Sequence, residues 1–299
     1  MDRYPPIAEH GLVDDLQTAA LVSSQGIVDW FAAPRFDSPS IFAALLDHNG
    51  GGYIRLAPEH PDGTCKQLYY PDTAILITRF MSPDGVGEVV DFMPLDQTGT
   101  ATDRHTLIRL IRAVRGTVEF TLECRPRFDY GRAEHQLELD DQGALFRAPG
   151  IDGHLQTTFP LERDGQDVRG SVTLNSSEFG GAVFTVCSSS GEAPAPPTAD
   201  GLIGQMGEVS RFWQHWLRQS RYRGRWPELV HRSAITLKLP LGTRSARTAM
   251  SSCPSPGYWS ASVSHSCPGY WSACAVAMSA RVRRPSVRER WWCSTSPSV

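Results

Sequence analysis

The sequence predicts a mainly β protein: an antiparallel β-sandwich, then a helical linker, then a disordered tail. Three observations predict it. Between residues 19 and about 190, short apolar runs alternate with turn residues. Near residue 209 the apolar spacing changes to that of a helix. After Pro240 no apolar period persists.

The strands come first. Val118, Phe120, Leu122 and Cys124 alternate with Glu119, Thr121, Glu123 and Arg125. That period of two describes a strand with one buried and one wet face. Similar runs lie at 53–56, 74–80, 87–92, 154–159, 171–174 and 182–187. Turn chemistry separates them: Pro83, Asp84 and Gly85; Asp141 to Gly143; Asp152 and Gly153; Asp164 and Gly165; Gly180 and Gly181. Many short strands at such spacing indicate a sandwich. Leu107, Leu110, Ile111 and Val114 also fit a helical stripe, but their neighbours favour a strand. Residues 40–46 (SIFAALL) read as a short helix capped by Ser38 or Ser40, with Gly50, Gly51 and Gly52 turning the chain into the next strand.

Residues 190–200 (SGEAPAPPTAD) have the composition of a linker. Val209, Phe212, Trp213 and Trp216 then fall on one face of a helix. Pro227 suits the first turn of a second helix reaching about Leu239. The expected divisions are a sandwich over 1–200, a linker helix over 201–224, a short helical segment over 225–240 and a tail over 241–299.

The tail differs in kind from the body. Residues 1–240 hold 22 basic and 31 acidic side chains, whereas 241–299 hold seven arginines and one acid, Glu289. Cys65, Cys124 and Cys187 are scattered through the body, which fits a reducing compartment better than a disulfide scaffold. The tail alone has Cys253, Cys267, Cys274 and Cys293, and it repeats PGYWSA at 256–261 and 268–273. The expected tail is disordered. The N-terminus shows no apolar secretory segment, and no run approaches the roughly 18 residues of a membrane span. The expected location is cytoplasmic. A net charge of -3 gives no reason to expect nucleic acid or an anionic membrane as partner.

The search for chemistry is mostly negative. Carboxylate pairs can be drawn (Asp14 with Asp15, Asp140 with Asp141, Glu59 with Asp62), but all lie in turn-like text and read as solvated. The histidines form no HExxH and the cysteines no CxxC, so no metal or cofactor is expected. There is no GxSxG nucleophile elbow.

Two long motifs do carry identity. YPPIAEHGLVDD (4–15) runs into TAALVSSQGIVDWFAAPRFDSPSIFAALLD (18–47), and ECRPRFDYGR occupies 123–132. Together they resemble the N-terminal domain of family 15 glycoside hydrolases, the trehalase-like and glucoamylase-like enzymes. FWQHWLRQSRYRGRW (212–226) is similar to that family's linker helix, and HRSAITLKL (231–239) to the opening of its catalytic domain. The resemblance implies a β-sandwich preceding an (α/α)6 barrel. It implies that both catalytic glutamates, acting with inversion, belong to the barrel, so none is assigned here. It also implies a parent acting on trehalose or a maltooligosaccharide, with trehalase favoured over glucoamylase.

The resemblance covers about 1–239. A reading-frame shift near codon 240 would account for a tail rich in Arg, Ser, Pro, Cys and Trp. Catalytic inactivity is therefore the expectation for the chain by itself. By the same resemblance, Trp30, Arg35, Phe36 and Asp37 are candidates for the border of the sugar pocket. The competing structural expectation is that Arg35 and Asp37 pair while Trp30 and Phe36 fill the core. Trp213, Trp216, Trp226, Leu229, Val230, Ile235 and Leu237 are expected to form an uncovered apolar patch that promotes association or proteolysis. Two other functions remain open: a carbohydrate-binding or assembly module, and a nucleic-acid or membrane adaptor working through RVRRPSVRERWW (281–292).

Overall fold

The structure is a computed structural model and describes residues 4–59, 63–95, 102–187 and 195–239. The 241–299 tail, including its Arg–Trp segment, lies outside the described residues, as do residues 190–194 of the expected 190–200 linker.

A short 3-10 turn at Ile7–Glu9 leads into strands β1 (His10–Asp14), β2 (Ala19–Ser23), β3 (Ile27–Ala32), β4 (Ser40–Phe42) and β5 (Tyr53–Pro58). Next come β6 (Thr64–Tyr69), β7 (Leu76–Met81), β8 (Gly85–Phe92) and the long β9 (His105–Arg125). A single turn, α1 (Phe128–Gly131), precedes β10 (Gln136–Asp140), β11 (Gly143–Ala148) and β12 (Ile151–Thr157). The last strands are β13 (Glu162–Asp164), β14 (Asp167–Asn175) and β15 (Phe179–Cys187), followed by helices α2 (Ala199–Leu217) and α3 (Pro227–Lys238).

Strand β9 organises the sandwich. Its first half pairs with β8 and β15, and its second half pairs with β5 and β14. One sheet therefore runs β1-β2-β3-β5-β9-β14-β13, with β4 on β3. The other runs β6-β7-β8-β9-β15-β12-β11-β10. The strand changes sheets at Gly116, where φ is +70° and an added Cβ would lie 2.1 Å from the Asp84 carbonyl oxygen. Only glycine fits such a bend.

Between the sheets lies one apolar cluster, including Val28, Phe31, Phe42, Ile54, Leu122, Phe146 and Phe184. Arg109 is buried among them. Its Nε donates to Asp91 Oδ1 at 2.7 Å, Nη1 to the Ile54 carbonyl at 2.9 Å and Nη2 to the Gly26 carbonyl at 2.8 Å. One guanidinium thus fastens β8 and β9 to the backbone of the facing sheet.

A second cluster covers the outer face of the other sheet. Leu202, Val209, Trp213 and Leu217 of α2 meet Val90, Phe92, Ile108, Leu110 and Val183. Full burial of such side chains is worth about 2 kcal/mol each. Gly181 permits the approach, because a Cβ there would come within 2.6 Å of Leu202. Helix α3 adds Ile235, and Arg232 donates to the Thr73 carbonyl at 2.9 Å while its guanidinium lies 3.9 Å from the Tyr69 ring centre.

Several expectations change. The predicted 40–46 helix is instead β4 followed by a turn, because Phe42 and Ser40 register with Phe31 and Ala32 of β3. The apolar run SIFAALL suits a short strand buried on both faces as well as it suits a helix. The expected patch is covered in part: Trp213 is 0% and Ile235 1% exposed, because this chain's own sheet receives them, and Trp216, Val230 and Leu237 are half-buried. Trp226 and Leu229 do stay exposed. No described helix is long and apolar enough to cross a membrane.

Candidate functional site

Residues 33–39 form the loop between β3 and β4, and it leans on the 15–18 turn between β1 and β2. The Asp15 carboxylate builds that turn, with Oδ1 accepting from the backbone N–H groups of Gln17 and Thr18, each at 2.9 Å. Thr18 Oγ1 donates to the Ala32 carbonyl, and the Phe36 N–H donates to the Gln17 carbonyl at 3.3 Å. The Gln17 side chain accepts from the Thr102 N–H at 3.0 Å. A shallow hollow of ≈ 230 Å³ lies beside this junction, lined by Asp15, Gln17, Pro94, Leu95, Thr102, Arg104 and Thr106.

Asp15 and its neighbour Asp14 were expected to be solvated turn carboxylates, and they are buried instead. The ring of His105, fully buried, meets Asp15 Oδ2 at 2.6 Å. His105 is fully buried and Asp15 nearly so, and the pair braces the turn. Asp14 accepts from the Leu16 N–H, and burial pushes its carboxyl up to about 8, aided by the adjacent Asp15 charge. These residues escape a sequence reading because acidic pairs in turns are common and burial is not written in local sequence. By contrast, Asp140 and Asp141 are exposed, as expected of turn residues. Asp62 lies outside the described residues.

In the loop, Arg35 Nε and Nη2 donate to Asp37 Oδ1 and Oδ2 at 2.9 and 3.0 Å, a two-pronged pair. Both side chains are more than half exposed. Ser38 closes the turn, with its hydroxyl accepting from the Arg35 N–H at 3.2 Å. Phe36 is 53% exposed, so it does not fill the core. Trp30 is half-buried on β3, its ring 6.4 Å from that of Tyr130. Tyr130 sits in α1 with φ of +57°. Arg35, Phe36 and Asp37 therefore share one loop, whereas Trp30 joins a residue of the ECRPRFDYGR motif.

The arrangement offers hydrogen-bonding groups and an exposed ring, suited to polar ligands. It offers no nucleophile poised against a base. Among the described residues there is no group of three His, Cys, Asp or Glu side chains that could hold a metal ion.

The family model "Trehalase-like, N-terminal" matches residues 2–157. A trehalase of Mycolicibacterium smegmatis is 33% identical, over 79% of this chain and 38% of its own length. Trehalases of Thermoplasma volcanium and Mycobacterium tuberculosis are 27% and 29% identical, over 80% and 79% of this chain. The chain spans 38% and 37% of those two relatives.

Proposed function

The chain belongs to the trehalase-like N-terminal family, and from that premise we propose that it is the non-catalytic β-sandwich of an α-glucosidase acting on α,α-trehalose. Maltooligosaccharides are the secondary substrate class. In this reading the sandwich, taken as residues 1–200, stands beside a barrel joined through the 201–224 helix and the 225–240 segment. The barrel supplies the acid and the base, and the sandwich supplies part of the wall around the sugar.

The observation that carries the reading is the exposed Arg35–Asp37 fork with Phe36 beside it. An ion pair that close to water contributes little to folding. A rigid two-pronged donor–acceptor set next to an aromatic face is nevertheless suited to vicinal hydroxyls and a pyranose ring. The loop is held from below by the Phe36–Gln17 and Thr18–Ala32 hydrogen bonds, so its groups are oriented before a ligand arrives. Trp30 supports the same border through Tyr130.

Two measurements test this. The purified chain by itself should release no glucose from trehalose, and sustained release would overturn the non-catalytic assignment. Residues 1–239 should then be joined to the remainder of the Mycolicibacterium smegmatis trehalase. In an active chimaera, Arg35→Ala or Asp37→Ala should lower kcat/KM for trehalose at least tenfold. That corresponds to the loss of one charge-assisted hydrogen bond, about 1.5 to 3 kcal/mol. Unchanged kinetics in both variants would remove these residues from the pocket border.

A further inference from the structure

A larger recess lies elsewhere, beside the outer face of the sheet that the helices leave open. It has a volume of ≈ 710 Å³, and none of Trp30, Arg35, Phe36 or Asp37 lines it. Its outer-face wall comes from one row of side chains. The strand register places Ile27 opposite Arg55 and Arg55 opposite Glu123, while Tyr53 lies two residues along β5. Phe80 adds a second aromatic surface, and Asp29 and Cys65 complete the part of the lining that matters here.

The polar groups are organised but incompletely engaged. Arg55 is 8% exposed. Its Nη1 donates to Thr121 Oγ1 at 3.1 Å and stands 3.9 and 4.0 Å from the carboxylates of Glu123 and Glu59. Tyr53 donates its hydroxyl to Glu123 Oε2 at 2.6 Å. The proton is held firmly, since burial and the Glu123 carboxylate push the phenol up to about 12. Asp29 is 4% exposed, and its Oδ2 meets the His10 ring at 2.7 Å. Arg55 Nε and Asp29 Oδ1 are buried with no hydrogen-bond partner among the described residues. Buried polar atoms ordinarily have one, so this wall has unused hydrogen-bonding capacity.

The balance of groups selects the ligand. Among the described lining residues three carboxylates (Asp29, Glu59 and Glu123) outnumber one guanidinium, which disfavours an anion such as a sugar phosphate. No cluster among the described residues suits a metal ion. Side-by-side donors and acceptors suit vicinal hydroxyls, and the rings of Tyr53 and Phe80 suit the apolar face of a pyranose. The volume falls within the range of small-molecule sites, about 300 to 1,000 Å³. We propose that this recess is a separate binding site for a neutral sugar of one or two rings. The use of glucosides as probes rests on the proposed function, whereas the lining itself asks only for a neutral polyol.

The test uses the full chain. Trehalose, maltose and glucose 6-phosphate are titrated by saturation-transfer NMR, and alkylation of the exposed Cys65 is followed by peptide mass spectrometry. Trehalose or maltose should bind with a Kd on the order of millimolar and slow Cys65 alkylation, with glucose 6-phosphate at least tenfold weaker. Arg55→Met and Glu123→Ala should each weaken binding at least tenfold, and Phe36→Ala should not. Where the buried Arg55 variant fails to fold, Glu123→Ala decides, since that side chain is partly exposed. The proposal is overturned by no neutral-sugar binding up to about 50 mM. It is also overturned by binding indifferent to Glu123→Ala, by binding that leaves Cys65 alkylation unchanged, or by preference for the phosphate. Binding lost only in Phe36→Ala would likewise overturn it while leaving the 33–39 loop reading intact.

Discussion

Arg109→Met probes the joint between the two sheets. The guanidinium is fully buried and donates to Asp91 and to the carbonyls of Ile54 and Gly26. Methionine fills much of the same volume but donates nothing. Asp91, itself fully buried, would lose its ion-pair partner. Breaking one side of a buried pair costs about 3 to 5 kcal/mol. Each orphaned carbonyl adds on the order of 1 kcal/mol. The expected loss is therefore about 5 kcal/mol, set against a whole-domain stability of about 5 to 15 kcal/mol. Urea unfolding followed by far-UV circular dichroism measures it, and at a slope of about 2 kcal/mol per molar the midpoint should fall by roughly 2.5 M. Adding Asp91→Leu to Arg109→Met removes the unpartnered carboxyl group and should restore most of the loss. A single-variant loss below about 1 kcal/mol, or a double variant no better than the single, would refute this reasoning.

Two further outcomes follow from burial. Asp14 has its carboxyl raised to about 8 from an ordinary 3.8, so the folded chain binds its proton more tightly than the unfolded one. Its contribution is fully present below about pH 4 and is lost as pH rises toward 8. Asp14→Asn should therefore flatten the fall in Tm between pH 5 and 8 and melt higher than the parent at pH 8; an unchanged slope would show that Asp14 is not held neutral. Trp213→Ala should cost about 3 to 5 kcal/mol and speed proteolysis within α2, because Trp213 is 0% exposed on the sheet; an unaltered digestion pattern would mean that the helix is not anchored there.

Legibility in the sequence tracked how many faces of an element meet water. Residues 118–125 alternate because the second half of β9 has one wet face, and the strand reads directly. Of the ambiguous stripe Leu107, Leu110, Ile111 and Val114, the first three read ambiguously because both faces of the first half are covered, one by the facing sheet and one by α2, while Val114 is exposed. The two halves form one strand passing between sheets at Gly116. No periodicity carries that information. In the 33–39 loop the Arg35–Asp37 pair was legible because its partners stand two residues apart. The Trp30–Tyr130 contact was not, since 100 positions separate them.

By itself the sequence determined the β-rich body, the turns near 83–85, 141–143 and 164–165, an amphipathic helix after the linker and the motifs of the family. These are local properties, set by side-chain spacing and backbone preference over a few residues. Asp152–Gly153 and Gly180–Gly181, expected as turns, instead lie inside β12 and β15, because glycine there admits close packing without breaking the ladder. Only the tertiary structure decided that Asp14 and Asp15 are buried, that Trp213 is covered by its own sheet, and that Tyr53, Arg55 and Glu123 line one recess. Burial and proximity arise when distant strands pair, and the same short pattern is wet or dry according to what the rest of the chain lays against it.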